Sequence, residues 1–75
     1  MEEALKLIAV EKRNKTGKLD LSFLRLTKIP DELFELTSLQ TLYLRSNKIT
    51  DIRFLEKLTS LQILHLSNNS MLRKN

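Results

Sequence analysis

Cysteine is absent from this 75-residue chain, and that absence removes disulfides, thiolate metal sites and thiol nucleophiles together. A secreted domain of this size usually carries disulfide staples, so the expected setting is a reducing compartment, the cytoplasm. Glycine and proline occur once each and there is no low-complexity tract, which is not the composition of a linker or a disordered tail. A lone histidine, His65, is no metal-ligand set, and no glycine-rich loop is present to cradle a phosphate. Long hydrophobic runs are missing as well. Nothing approaches the ~20 apolar residues needed to cross a bilayer. The run from Leu7 to Val10, behind an acidic Met1-Glu2-Glu3 start, is too short and wrongly flanked for the core of a signal peptide. Neither a cofactor nor a membrane is an expected partner.

What is present, 41% hydrophobic and 29% charged residues, suits one small domain over residues 1–75 with a modest core. The net charge of +4 gathers at Lys12, Arg13, Lys15 and Lys18 and again at Arg73 and Lys74. That is the pattern of solvated surface near the two ends, and nucleic acid is not the expected partner. Two sequons, Asn14-Lys15-Thr16 and Asn68-Asn69-Ser70, have meaning only in the secretory pathway and are read as chance matches.

The organising feature is an internal repeat. Leu36-Thr37-Ser38-Leu39-Gln40-Thr41-Leu42-Tyr43-Leu44-Arg45-Ser46-Asn47 returns 22 residues later as Leu58-Thr59-Ser60-Leu61-Gln62-Ile63-Leu64-His65-Leu66-Ser67-Asn68-Asn69, with eight of twelve positions identical, a match beyond chance. Moved 23 residues upstream, the frame falls on Leu19-Asp20-Leu21-Ser22-Phe23-Leu24-Arg25-Leu26. Each copy holds a Leu-x-Leu core. Residues two apart in a strand share a face, so Leu19 with Leu21, Leu42 with Leu44, and Leu64 with Leu66 are expected to point into one interior. A pair of amphipathic helices does not fit, because Leu-x-Leu alternation has the period of a strand. Leu26, Ile29, Ile49 and Ile52 are expected to pin the turning segments inward, and Leu33, Leu36, Leu55 and Leu58 the returning side.

Three in-register copies of L-x-L-x-x-N/L-x-L/I/M resemble the leucine-rich-repeat family over residues 16–72. The resemblance implies an α/β leucine-rich-repeat solenoid. In it an N-terminal capping helix (1–18) precedes repeat 1 (19–41), repeat 2 (42–63) and a partial repeat 3 (64–75), with three short parallel strands and helical or 3₁₀ turns on the convex side. Asn47 and Asn69 fall at the family's asparagine position, where a side-chain amide can satisfy backbone groups left unpaired by a tight turn. Leu24 replaces it in the first coil, which has no preceding coil to bond. Pro30 suits the first position of a short helical turn, and a second such turn is expected near Phe54 to Lys57.

Ahead of the repeats, Glu2 to about Lys15 reads as a helix with Leu5, Ile8, Ala9 and Lys12 on one stripe, Ala4 and Leu7 beside it, and Gly17 as a stop. Its acidic start and basic end suit the helix dipole. It is similar to the helix that opens bacterial-type leucine-rich arrays, including those of Roco-type GTPases; no nucleotide-binding loop accompanies it, so no GTPase activity is implied.

Residues between the strand leucines should form a grid on the concave face: Asp20, Tyr43 and His65 in one row, Ser22, Arg45 and Ser67 in the next, and Lys18, Thr41 and Ile63 in a third. Tyrosine, histidine and arginine combine buried area with directed hydrogen bonds, which makes Tyr43, His65 and Arg45 the leading contact candidates. Asp20, His65 and Ser22 or Ser67 hold the residue types of a nucleophilic triad, but Asp20 and His65 should stand two strands apart, about 9 to 10 Å, beyond hydrogen-bond reach. The expected function is non-catalytic protein–protein interaction, with no catalytic residue and no metal. The alternative is a structural capping unit, or a fragment of a longer array, with no ligand of its own. The sequence reaches Asn75 just after its third strand without a second capping helix. The apolar end formed by Leu61, Leu64, Leu66 and Leu72 is therefore expected to be partly open, which suggests further repeats, a homodimer paired through that end, or marginal stability.

Overall fold

A computed structural model describes residues 1–69. Helix α1 (Glu2–Asn14) is followed by three short strands, β1 (Lys18–Asp20), β2 (Thr41–Tyr43) and β3 (Ile63–His65), with 3₁₀ turns at Asp31–Glu35 and Arg53–Lys57 between them. The strands form one parallel sheet in the order β1-β2-β3, and the register places Leu19, Leu42 and Leu64 side by side.

The repeat in the sequence is a repeat in the hydrogen bonding. Leu21 N–H donates to Tyr43 O at 2.8 Å and Leu44 N–H to His65 O at 2.8 Å. Below the strands the Gly17 carbonyl accepts from both Gln40 and Thr41, and the Gln40 carbonyl accepts in the same way from Gln62 and Ile63. Each coil therefore offers the next the same row of backbone partners, and a fixed spacing of apolar residues keeps every coil in step.

The middle of the stack is the best buried. Leu21, Leu33, Leu42, Leu44 and Ile49 are fully enclosed, each worth about 1.5–3 kcal/mol of burial. Leu61, at the end of repeat 2, and Leu64 and Leu66 of the third coil are only half-buried; Leu72 lies outside the described residues.

Three local expectations need correction. First, α1 turns Ala4, Ile8 and Glu11 inward rather than the stripe of Leu5, Ile8, Ala9 and Lys12; Ala9 and Lys12 are exposed and Leu5 and Leu7 are half-buried. Glu11 sets this rotation, because its carboxylate accepts from Thr16 Oγ1 at 2.6 Å and from Gly17 N–H at 2.7 Å. The helix ends at Asn14, within a residue of the expected end, but its left-handed cap is Lys15 (φ 55) and not Gly17; the Lys15 N–H donates to Glu11 O at 2.7 Å. Second, Pro30 is not the first helical residue but the extended cap before it (φ −67, ψ 146), and its carbonyl accepts from Leu33 N–H at 3.1 Å. Third, Ile52 is 39% exposed, whereas Ile49 is fully buried. The second coil is one residue shorter, so Ile52 becomes the cap of its 3₁₀ turn and Phe54 supplies the inward side chain.

Candidate functional site

Two arrangements of side chains rise from this scaffold. The first is internal. Asn47 is 3% exposed, and its Oδ1 accepts from Leu24 N–H at 3.1 Å and Leu26 N–H at 2.9 Å in the preceding coil. Its Nδ2 donates to Leu21 O at 2.9 Å and Leu44 O at 3.0 Å. Asn69 does the same one coil later, accepting from Ile49 N–H at 3.0 Å and donating to Leu44 O at 2.9 Å and Leu66 O at 2.8 Å. A planar amide with a donor and an acceptor at opposite corners can satisfy both strand-end carbonyls and the amides of the neighbouring turn. Leu24, half-buried at the equivalent place, belongs to the first coil, which has no coil before it.

The second arrangement is the outer face of the sheet. The register sets Asp20, Tyr43 and His65 in one row and Lys18, Thr41 and Ile63 in another. Tyr43 and His65 stack, with ring centroids 4.9 Å apart and planes 16° from parallel. Parallel strands bring equivalent side chains to this separation, and two flat rings fill it face to face. The Ser22 hydroxyl accepts from Arg45 N–H at 3.1 Å, and the Ser67 carbonyl accepts from Ser46 N–H at 2.9 Å. The Arg45 side chain is exposed and takes part in no ion pair among the described residues. Asp20 has a structural task as well, since its Oδ1 accepts from Ser22 N–H at 2.9 Å and shapes the bend after β1.

Thr41 departs from the expected exposed grid: it is only 6% exposed, walled in by the coils on both sides, while Ile63 on the outer strand is 49% exposed. Asp20 and His65 are separated by the whole of β2, with Tyr43 between them. Among the described residues no three His, Cys, Asp or Glu side chains come together to hold a metal ion, and no helix is long and apolar enough to cross a membrane.

Two features escaped the pattern of leucines. A groove of about 600 Å³ lies where α1 meets the first coil, lined by Glu11, Lys15, Thr16, Gly17, Glu35 and Gln40; Lys12 closes one side through a 2.7 Å ion pair with Glu35. Phe23, just past β1, is 68% exposed. Its signal in the sequence was an aromatic where the later coils carry Ser46 and Asn68. Elsewhere on the surface the Arg53 guanidinium bonds both oxygens of Asp51, holding its carboxyl at about 2, below the usual 3.8.

Stacked parallel coils of 22 and 23 residues, joined by a ladder of buried asparagine amides, define a repeat-built protein whose exposed chemistry lies on the sheet. The profile of the leucine rich repeat family matches residues 15–71, and the chain belongs to that family. Over 55 residues, 71% of this chain, it is 49% identical to lumican of Rattus norvegicus. It is 47% identical over the same length to lumican of Mus musculus. The chain spans 16% of the length of these relatives. No solved structure matches. The family match begins at Lys15, so α1 stands outside it.

Proposed function

We propose that the chain is a non-catalytic protein-interaction module that binds a partner protein through the concave strand face of a short solenoid, with Tyr43, Arg45 and His65 as main contacts and Asp20, Ser22 and Ser67 around them. The carrying observation is the Tyr43–His65 stack. It presents a preformed aromatic ledge beside an unpaired guanidinium, so little side-chain freedom is lost when a partner covers it. Membership of a family whose domains commonly mediate protein contacts supports the same reading. The helix α1 acts as the N-terminal cap, in the manner of bacterial-type arrays, and the absence of cysteine suits a cytoplasmic setting. Neither nucleic acid nor a membrane is the partner.

The test is selection of binders from a displayed random-peptide library, followed by mapping of amide shifts on the labelled 75-residue chain. Shifts centred on Tyr43, Arg45 and His65, lost with Tyr43→Ala and His65→Ala in a variant that still melts cooperatively, are the expected result. Shifts confined to α1 or to the 3₁₀ turns would remove this face from consideration.

A second reading draws on the half-buried Leu61, Leu64 and Leu66: the chain is a capping unit or fragment of a longer array, and the free side of β3 takes a further coil or pairs with a second copy. Light scattering across a concentration series separates these. A dimer dispersed by Leu64→Lys supports pairing, and a monomer at all concentrations rejects it.

A further inference from the structure

Phe23 stands in the left-handed region (φ 63) and is 68% exposed. The equivalent places in the next two coils hold Ser46 (φ 58) and Asn68 (φ 63). A bulky aromatic is disfavoured in that conformation, where asparagine is at home. Phe23 belongs neither to the core nor to its half-buried border. Packing therefore gives no reason for a phenylalanine here.

The two turns that follow β1 and β2 carry charge of one sign. Phe23 N–H donates to Arg45 O at 3.0 Å and Lys48 N–H to Leu26 O at 2.8 Å, so the two turns lie side by side. Arg25, itself left-handed (φ 58), and Lys48 occupy equivalent positions of successive coils. Arg25, Arg45 and Lys48 are all exposed and take part in no ion pair among the described residues. No acidic residue occurs from Leu21 to Ile29 or from Leu44 to Thr50. An exposed aromatic among unpaired cations, two of them arginine, is the composition of a contact surface.

We propose that this loop edge, at the C-terminal ends of the strands, docks an acidic segment of a partner protein. One apolar side chain of that segment packs on Phe23, and its carboxylates meet Arg25, Arg45 and Lys48. The band offers three cations beside one aromatic, enough to meet a few discrete carboxylates and an apolar side chain but short of the continuous basic track that a polyphosphate backbone follows. The edge shares Arg45 with the strand face but neither Tyr43 nor His65, so the two surfaces can be tested apart.

The probe is a labelled twelve-residue peptide with glutamates around one central tryptophan, titrated into the 75-residue chain by fluorescence anisotropy. Saturable binding is expected, weakened at least tenfold in Phe23→Asn with Arg25→Asn and unchanged in Tyr43→Ala with His65→Ala. Asparagine suits the left-handed backbone at both positions, and Phe23→Asn alone, whose melting temperature should not fall, is the second variant. These results would overturn the proposal: no binding of the peptide; equal binding by the asparagine variants; equal affinity after the tryptophan is replaced by glycine; or tighter, more steeply salt-dependent binding of a twelve-nucleotide oligothymidylate. Loss of binding only in the Tyr43 and His65 variant would also overturn it, while favouring the strand face.

Discussion

Replacing Asn47 by alanine should remove a large share of this protein's stability, and the same change at Asn69 should cost distinctly less. In Asn47→Ala the Leu26 N–H and the Leu21 carbonyl, both in buried bonds to the amide, lose the partner that Asn47 provides, and the half-buried Leu24 N–H loses its own. The Leu44 carbonyl keeps Asn69. Each orphaned buried group costs about 1–3 kcal/mol, so the loss is about 2–6 kcal/mol. That compares with about 4–11 kcal/mol of total stability for a chain of this length. In Asn69→Ala the Ile49 N–H is orphaned inside, but the bond to the Leu66 carbonyl is only part-buried, so that carbonyl can turn to water. One buried loss, about 1–3 kcal/mol, remains. Urea denaturation followed by far-ultraviolet circular dichroism measures both, with ΔΔG taken from the midpoint and slope. A variant Asn47→Ala within about 0.5 kcal/mol of the parent, or Asn69→Ala the worse of the two, would refute the account of the ladder, since half a kilocalorie is the ordinary effect of a neutral surface change. Asn47→Asp should fail to rescue at neutral pH, because an acceptor then faces two carbonyl oxygens.

Three further outcomes follow from the same geometry. Glu11→Ala leaves the half-buried Gly17 N–H without its partner, while the exposed Thr16 Oγ1 keeps Lys18 O, and should cost about 1–3 kcal/mol, read as a lower urea midpoint together with loss of the ellipticity of α1. Gly17→Ala adds a Cβ that meets Gln40 Oε1 no closer than 3.8 Å, so its penalty at φ +85 is backbone strain alone, about 1–2 kcal/mol by thermal melting. Asp51 has a folded pKa of about 2, below its usual 3.8, so the stabilisation from its pair with Arg53 is complete above pH 4 and is lost as pH falls towards 2. Arg53→Ala should return Asp51 to the usual carboxylate range in an NMR titration and flatten that stretch of the stability profile, by a small amount because both side chains are exposed.

The leucine spacing carried most of the fold. Leu19, Leu42 and Leu64 appear in register where the 22- and 23-residue offsets put them, because each coil brings its Leu-x-Leu strand back beside the last and the one-residue difference is absorbed in the turning segment. The rows of the strand face followed from the same register, and the Tyr43–His65 contact with them. Charge and capping were less legible. A helical stripe counted by apolar residues alone put Ala9 inward and left out Glu11, since a buried carboxylate is recognised only by the Thr16 and Gly17 donors that the chain brings back to it. Ile52 read as a core residue because its type is right, but a one-residue deletion in the second coil rotated it outward and gave the place to Phe54.

By itself, then, the sequence determined the number of described strands, their parallel order and the leucines of the strands that line the interior, because periodic burial of leucine leaves a chain few other ways to close. Tertiary structure alone decided what the polar residues do. Thr41 is hidden by two neighbouring coils, and Asp20 is drawn into the bend after β1. Phe23 is left on the surface beside cations from a different coil. These outcomes depend on which backbone lies next to which across 20 or more residues of sequence, a relation that stacking of the coils creates and that local composition does not contain.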